Sequence, residues 1–139
     1  MPKFATIKVE EINAKEVVEQ LIIDGKKQLD VFEEVLAGTT YISEYRTILT
    51  YIEYLADGNT LPKKKFRHLK GAKDGVTEFE FKSKHLRLYA IQQPGKKLIL
   101  FMGLKADQDE DIVSFRNLKA QLLLNLKEEN EKSRAAKKS

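Results

Sequence analysis

The sequence has no cysteine, no tryptophan and two histidines. It also has no apolar run approaching the ~18 residues that a membrane-spanning helix requires. Without cysteine there are no disulfides, no thiolate metal ligands and no thiol nucleophile, which fits a reducing compartment. Met1 to Glu10 lacks the apolar centre of a secretory signal, so a cytoplasmic location with no membrane partner is expected. Glycine is sparse, and Gly71 and Gly75 lack the flanking pattern of a phosphate-binding loop or a dinucleotide fingerprint. With His68 and His85 as the only imidazoles, a zinc site is not expected. Asp107, Asp109 and Asp111 alternate as the start of a calcium loop does, but Ile112 stands where the turn glycine belongs. The positive end of a helix dipole explains these carboxylates better, and neither a metal nor another cofactor is expected.

What the chain does contain is enough apolar sequence for one core and an uneven distribution of charge. At 139 residues and 42% hydrophobic, a single domain over residues 1–126 is expected, followed by a polar, frayed tail over 127–139. The net charge is +4, yet the segment from Lys63 to Lys105 carries 12 Lys or Arg against Asp74, Glu78 and Glu80. That segment is therefore +9 and the rest of the chain −5. Such a region focuses a field that attracts a polyanion, with nucleic-acid phosphates the obvious class; a solvated lysine surface has the same composition.

Periodicity divides the chain into elements. Phe4 to Glu10 alternates with a period of two and reads as a first strand. Asn13 and Glu16 have capping-box spacing, and Val17, Val18, Leu21, Ile22, Leu29, Phe32, Val35 and Leu36 then follow helical spacing, with Gly25 a bend or break. A second apolar stripe runs through Ile42, Tyr45, Ile48, Leu49, Ile52 and Leu55, so an N-terminal αα-hairpin is expected. Period two returns at Phe79 and Phe81 and again at Leu86, Leu88 and Ala90. Pro94-Gly95 suits a type II turn, and Leu98 to Leu104 suits a central strand. A C-terminal helix follows, with Ile112, Phe115, Leu118, Leu122 and Leu126 toward the sheet. The fold class is α+β with an antiparallel sheet.

Period two also places His85, Arg87 and Tyr89 on one strand face, opposite Leu86, Leu88 and Ala90. Imidazole or phenol can exchange protons with a ribose hydroxyl or leaving oxygen, and guanidinium can hold a phosphate through paired hydrogen bonds. Those groups suit metal-independent RNA cleavage, in which the 2′-hydroxyl is the nucleophile. The same alternation also fits a face covered by Tyr and Arg packing. Lys63, Lys64, Lys65, Arg67, His68 and Lys70 precede the hairpin, interleaved with Phe66 and Leu69, and Lys84 lies at its turn. Together they would track a phosphate backbone in a salt-dependent way.

Leu61-Pro62, Phe66 to Gly71, Val76 to Phe81, Leu86-Arg87-Leu88-Tyr89 and Ile99 to Leu104 together resemble the RelE/HigB branch of the RelE/ParE toxin superfamily. The resemblance covers about half the chain and lies in the order and spacing of short motifs. It implies a RelE-like, microbial RNase-like fold in the order strand, two helices, three strands and helix. The implied function is the toxin of a type II toxin–antitoxin system: an mRNA endoribonuclease often acting on ribosome-bound mRNA and neutralised by a cognate antitoxin. Arg87 and Tyr89 match the family's second hairpin strand. With His85, taken from strand alternation, and Lys105 they form the expected catalytic set, while Lys63, Lys64, Lys65, Arg67, His68, Lys70 and Lys84 form the expected RNA-binding set, of which Lys64, Lys65, Arg67 and Lys70 sit where many relatives place basic substrate-binding residues. Two departures thin the usual active-site charge. Glu80 replaces an arginine, and Ala106-Asp107 stands where relatives commonly carry two lysines, leaving Lys105 as the nearest cation. A catalytically weakened binding module and a gyrase inhibitor of the ParE kind are the alternatives.

Overall fold

The computed structural model describes residues 2–138, so Ser139 of the expected tail lies outside the described residues. Strands β1 (Phe4–Lys8), β2 (Val17–Ile23) and β3 (Lys26–Lys27) are followed by helices α1 (Gln28–Leu36) and α2 (Ile42–Ala56). Then come β4 (Phe66–His68), β5 (Glu78–Lys82), β6 (Leu86–Gln93), β7 (Lys96–Leu104), a 3-10 turn at Lys105–Asp107 and α3 (Gln108–Lys138). The seven strands form one sheet in the order β1-β2-β7-β6-β5-β4, with β3 paired to β2. Among the described residues only β2 and β7 pair in parallel. The architecture is thus α+β with a predominantly antiparallel sheet and a C-terminal helix.

The N-terminal region departs from its expected form. Val17 to Ile23, expected as the first half of a long helix, is strand β2, and helix begins only at Gln28. A dense apolar run with β-branched residues fits a strand as well as a helix face, and pairing decides between them. Val17–Gln20 lies beside Lys96–Ile99 of β7, while Asp24 and Gly25, both at positive φ, turn the chain back into β3. The capping box at Asn13 does not form. The Asn13 N–H donates to Glu53 Oε2 at 3.1 Å, and the Glu16 carboxylate accepts from Gln92 Nε2 at 2.7 Å and from Lys97 Nζ. The first helix of the expected αα-hairpin therefore loses its first half, leaving the shorter α1 before α2. At the other end, the segment expected to fray continues as helix to Lys138, with residues 127–135 exposed.

Each sheet face has its own cover. Leu29, Phe32 and Leu36 of α1 and Tyr45, Ile48 and Ile52 of α2 pack on Phe79, Phe81, Leu86 and Leu88. On the other face Phe115 and Leu122 of α3 meet Leu21, Tyr89, Ile91, Leu98 and Leu100. Leu100 is the extra residue of a bulge in β7, because Tyr89 pairs with Phe101 and Ala90 with Ile99. Burying a side chain such as Phe115 or Leu122 contributes about 1.5–3 kcal/mol.

Candidate nucleic-acid interface

Strand pairing gathers the basic residues of three separate segments at one end of the sheet. The Lys82 N–H donates to Lys65 O, and the Lys105 N–H donates to His85 O, each at 2.8 Å. These two bonds bring the Lys63–Lys65 loop, the Lys82–His85 turn and the end of β7 together. Lys63, Lys64, Lys84 and Lys105 are exposed there. Lys65 is half-buried, its ammonium 5.0 Å from the centre of the Tyr51 ring.

Beside this edge lies a cleft of about 710 Å³ lined by Lys63, Arg67, His68, Lys70, Lys82 and Arg116, with Phe66, Leu69 and Ile112 among its apolar wall. Among the described residues no carboxylate lines it. Burial lowers the pKa of Lys82; Glu80 pulls it back up, and the nearby charges of Arg67 and Arg87 depress it further. Crowded cations of this kind are relieved by an anion. His68 is exposed and packs against Phe66 and Phe79, with ring centres 5.1 Å apart in both pairs, so it offers a face for base stacking.

Glu80, which stands where the resemblance has an arginine, does not reach the solvent. It is fully buried, accepting from Arg67 Nε at 2.6 Å and from Gln108 Nε2 at 2.6 Å. Arg67 faces it directly across β4 and β5, and its side chain remains 46% exposed. The pairing occupies one guanidinium N–H of a residue that lines the cleft, leaving further donors for a ligand.

The expected His85, Arg87 and Tyr89 constellation is not assembled. Tyr89 is fully buried, its ring stacked on Phe115 of α3 at 5.3 Å, so it belongs to the core beneath that helix. Burial raises its phenol pKa, and the Glu80 and Asp111 carboxylates raise it further. Arg87 is 7% exposed, and its Nη1 donates to Ser83 O at 2.6 Å and Leu86 O at 2.8 Å. His85 precedes β6 and turns toward α2, where its Nδ1 lies 2.7 Å from Glu44 Oε2. Alternation assigns a residue to a face only while the strand continues, and β6 begins at Leu86. Among the sequence-derived candidates, the lysines, Arg67, His68 and His85 therefore reach the surface, while Tyr89 and nearly all of Arg87 do not.

Several residues at or beneath this surface carried no signal of their own. Lys82 and Arg116 line the cleft, and Glu44 holds His85. Behind the cleft, Glu78 accepts from Arg116 Nη2 and from Lys119 Nζ, each at 2.9 Å. Glu44 lies beside the apolar stripe of α2 as an ordinary helical carboxylate, and only the packing of α2 on the β5–β6 turn gives it partners. Among the described residues no group of three or more acidic, His or Cys side chains is placed to hold a metal ion, and no helix is long and apolar enough to cross a membrane. Neither protein-family models, nor curated proteins, nor solved structures gave a match to this chain.

Proposed function

We propose that the protein binds single-stranded RNA along the basic end of its sheet and is the toxin-like member of a toxin–antitoxin pair. The observation that carries this reading is the convergence of Lys63–Lys65, Lys82–His85 and Lys105 through two main-chain hydrogen bonds, beside a cleft with no carboxylate in its lining among the described residues. A single strand of RNA presents phosphates along such an edge and bases to His68. The RelE-like reading of the fold is supported by the order β2, α1, α2, β5, β6, β7, α3, to which β1, β3 and β4 are additions. It is further supported by Arg67, which supplies a guanidinium from the neighbouring strand where Glu80 replaces the arginine of the resemblance.

A second reading is a binding module that does not cut, and the burial of Tyr89 with the near-burial of Arg87 favours it. Cleavage through the 2′-hydroxyl needs a proton carrier that reaches substrate, and those two side chains do not provide one. A labelled single-stranded RNA should bind with an affinity that falls steeply with salt, the slope of log affinity against log salt being about −0.7 per phosphate contacted. Replacing Lys64 and Lys84 together by glutamate should weaken binding by on the order of tenfold or more and flatten that slope. Affinity indifferent to salt and to this double substitution would show that RNA does not use this edge.

A further inference from the structure

Two exposed apolar side chains, Val35 of α1 at 71% and Leu104 at the end of β7 at 38%, flank one hollow. Its volume is about 440 Å³, with Val31 and Leu36 of α1 on one wall and Leu86 and Met102 of the sheet on the other. Thr39 is the polar side chain set among them, and its needs are met within the chain. Its Oγ1 donates to Leu36 O at 2.6 Å and accepts from the Tyr41 N–H at 3.2 Å. Single apolar side chains scattered over a surface are ordinary, but a concave apolar lining of this size has the form of a ligand site.

A second hollow of about 330 Å³ adjoins the first and has the opposite character. Tyr41 and Leu104 line both, and beyond them stand Lys84, His85, Lys105 and Ala106. Among the described residues no carboxylate lines either hollow. Both lysines rise from fastened backbone. Glu44, on the first turn of α2, accepts from Ser83 Oγ at 2.6 Å and from the His85 N–H at 2.7 Å, which pins the chain on each side of Lys84. Burial works to raise the pKa of Glu44, and its bonds from Ser83 and His85 outweigh it, so the group is held below its ordinary range as an acceptor. The Lys105 N–H is tied to His85 O. An apolar compartment thus opens onto two ammonium groups whose main chain is held in place.

We infer that the two hollows together bind one long-chain carboxylate, its chain lying between α1 and β7 and its headgroup on Lys84 and Lys105. Neither hollow selects such a ligand alone. The chain gains by leaving water for the walls of the first, and the carboxylate accepts charge-assisted hydrogen bonds from the ammonium groups of the second. A neutral chain would leave the cations unused, and a small anion would leave the apolar walls in water. A concave site of this volume takes a single chain rather than the face of a bilayer. The site lies apart from the cleft lined by Arg67 and His68, and it stands whether or not RNA binds the basic edge.

The test is isothermal titration of the full chain with octanoate, decanoate and dodecanoate, each kept below its micelle concentration. Affinity should rise about fourfold for each methylene added until the hollow is full. Dodecanol, equal in chain and without charge, should bind about tenfold more weakly than dodecanoate. Lys84→Ala combined with Lys105→Ala should weaken dodecanoate by about tenfold and leave dodecanol unchanged. Val35→Glu, at a position already exposed, should weaken both ligands by on the order of tenfold or more. If that variant fails to fold, the chain-length series and the lysine pair still decide. No binding of dodecanoate by the wild type, or binding by a folded Val35→Glu at wild-type affinity, overturns the site. Equal affinity for dodecanoate and dodecanol, unmoved by the lysine substitutions, overturns it as well. Capture of the chain by phosphatidylglycerol vesicles without binding of monomeric dodecanoate would show a membrane-facing surface instead. A dimer in sedimentation that Val35→Glu dissolves, again without dodecanoate binding, would show a second copy seated on these walls.

Discussion

The residues beneath the start of α3 show most directly how packing, rather than alternation, sets a side chain's role. Asp111 Oδ2, Tyr89 OH and Arg87 Nε are all buried without a hydrogen-bond partner among the described residues. Burial raises the pKa of Asp111, and the charges of Asp107 and Glu110 add to it. The carboxyl lies over Gly103, where a Cβ would fall inside van der Waals contact with Oδ2. Gly103 is an ordinary strand residue in its backbone angles, so its requirement is space and not left-handed φ. Gly103→Ala should therefore cost about 1–3 kcal/mol in denaturant unfolding. Asp111→Ala in the same chain should recover most of that loss, and strictly additive effects would show that the two residues do not meet. The sequence marks Gly103 only as a glycine in an apolar run; the overlying carboxyl comes from a helix that begins at Gln108.

At the scale of elements, α3 holds the Leu69–Thr77 loop through an ion pair inside the protein. Lys119, 1% exposed, donates to Asp74 Oδ1 at 2.8 Å, Val76 O at 2.8 Å and Glu78 Oε2 at 2.9 Å. Arg116 adds a bond to Lys70 O at 2.7 Å, fastening the basic loop from its other side. Losing one partner from a buried pair leaves a charge without compensation. Lys119→Met should thus destabilise by about 3–5 kcal/mol. Hydrogen exchange should show the main cost as early opening of residues 69–77, and an equal loss of protection across β1 and β2 would contradict this attachment. A lysine spaced four residues after Phe115 and three before Leu122 occupies a buried position of the helical stripe. That spacing is legible in the sequence as an anomaly, but its partners lie 41 and 45 residues away.

Over the whole molecule, charge links stability to pH. Glu44 and Asp74 are both held below their ordinary values. For Asp74, burial acts upward and is outweighed by bonds from Lys119 Nζ and the Val76 N–H. A carboxylate depressed in the fold stabilises it above the unfolded-state pKa, about 3.9–4.3, and loses that contribution as pH falls through the lower folded value. Asp111 has the opposite sign: its raised folded pKa makes the ionised form unfavourable, so protonation on acidification relieves a cost. The denaturation midpoint should fall as pH drops below about 4. The fall should be shallower in Asp74→Asn, whereas Asp111→Asn should act above about pH 4, where it removes the stability gained as that carboxyl takes up its proton in the fold. Superimposable pH curves for the wild type and Asp74→Asn would mean that this carboxylate is not depressed in the fold.

The sequence by itself determined the α+β class, helix α2, the β5–β6–β7 meander with its Pro94-Gly95 turn, the sheet-facing stripe of α3 and the basic character of Lys63 to Lys105, because each is written in local periodicity or composition. Tertiary structure decided the rest. Val17 to Ile23 became a strand because β7 offered it a partner, and Glu80 became an anchor for Arg67 because β4 lies across from it. Tyr89 went into the core because α3 covers its face. His85 left that face for Glu44, 41 residues earlier in the chain. Period two tells which side of a strand a residue takes, but what lies over that side is fixed by contacts distant in sequence, and those contacts separate a buried tyrosine from an exposed base.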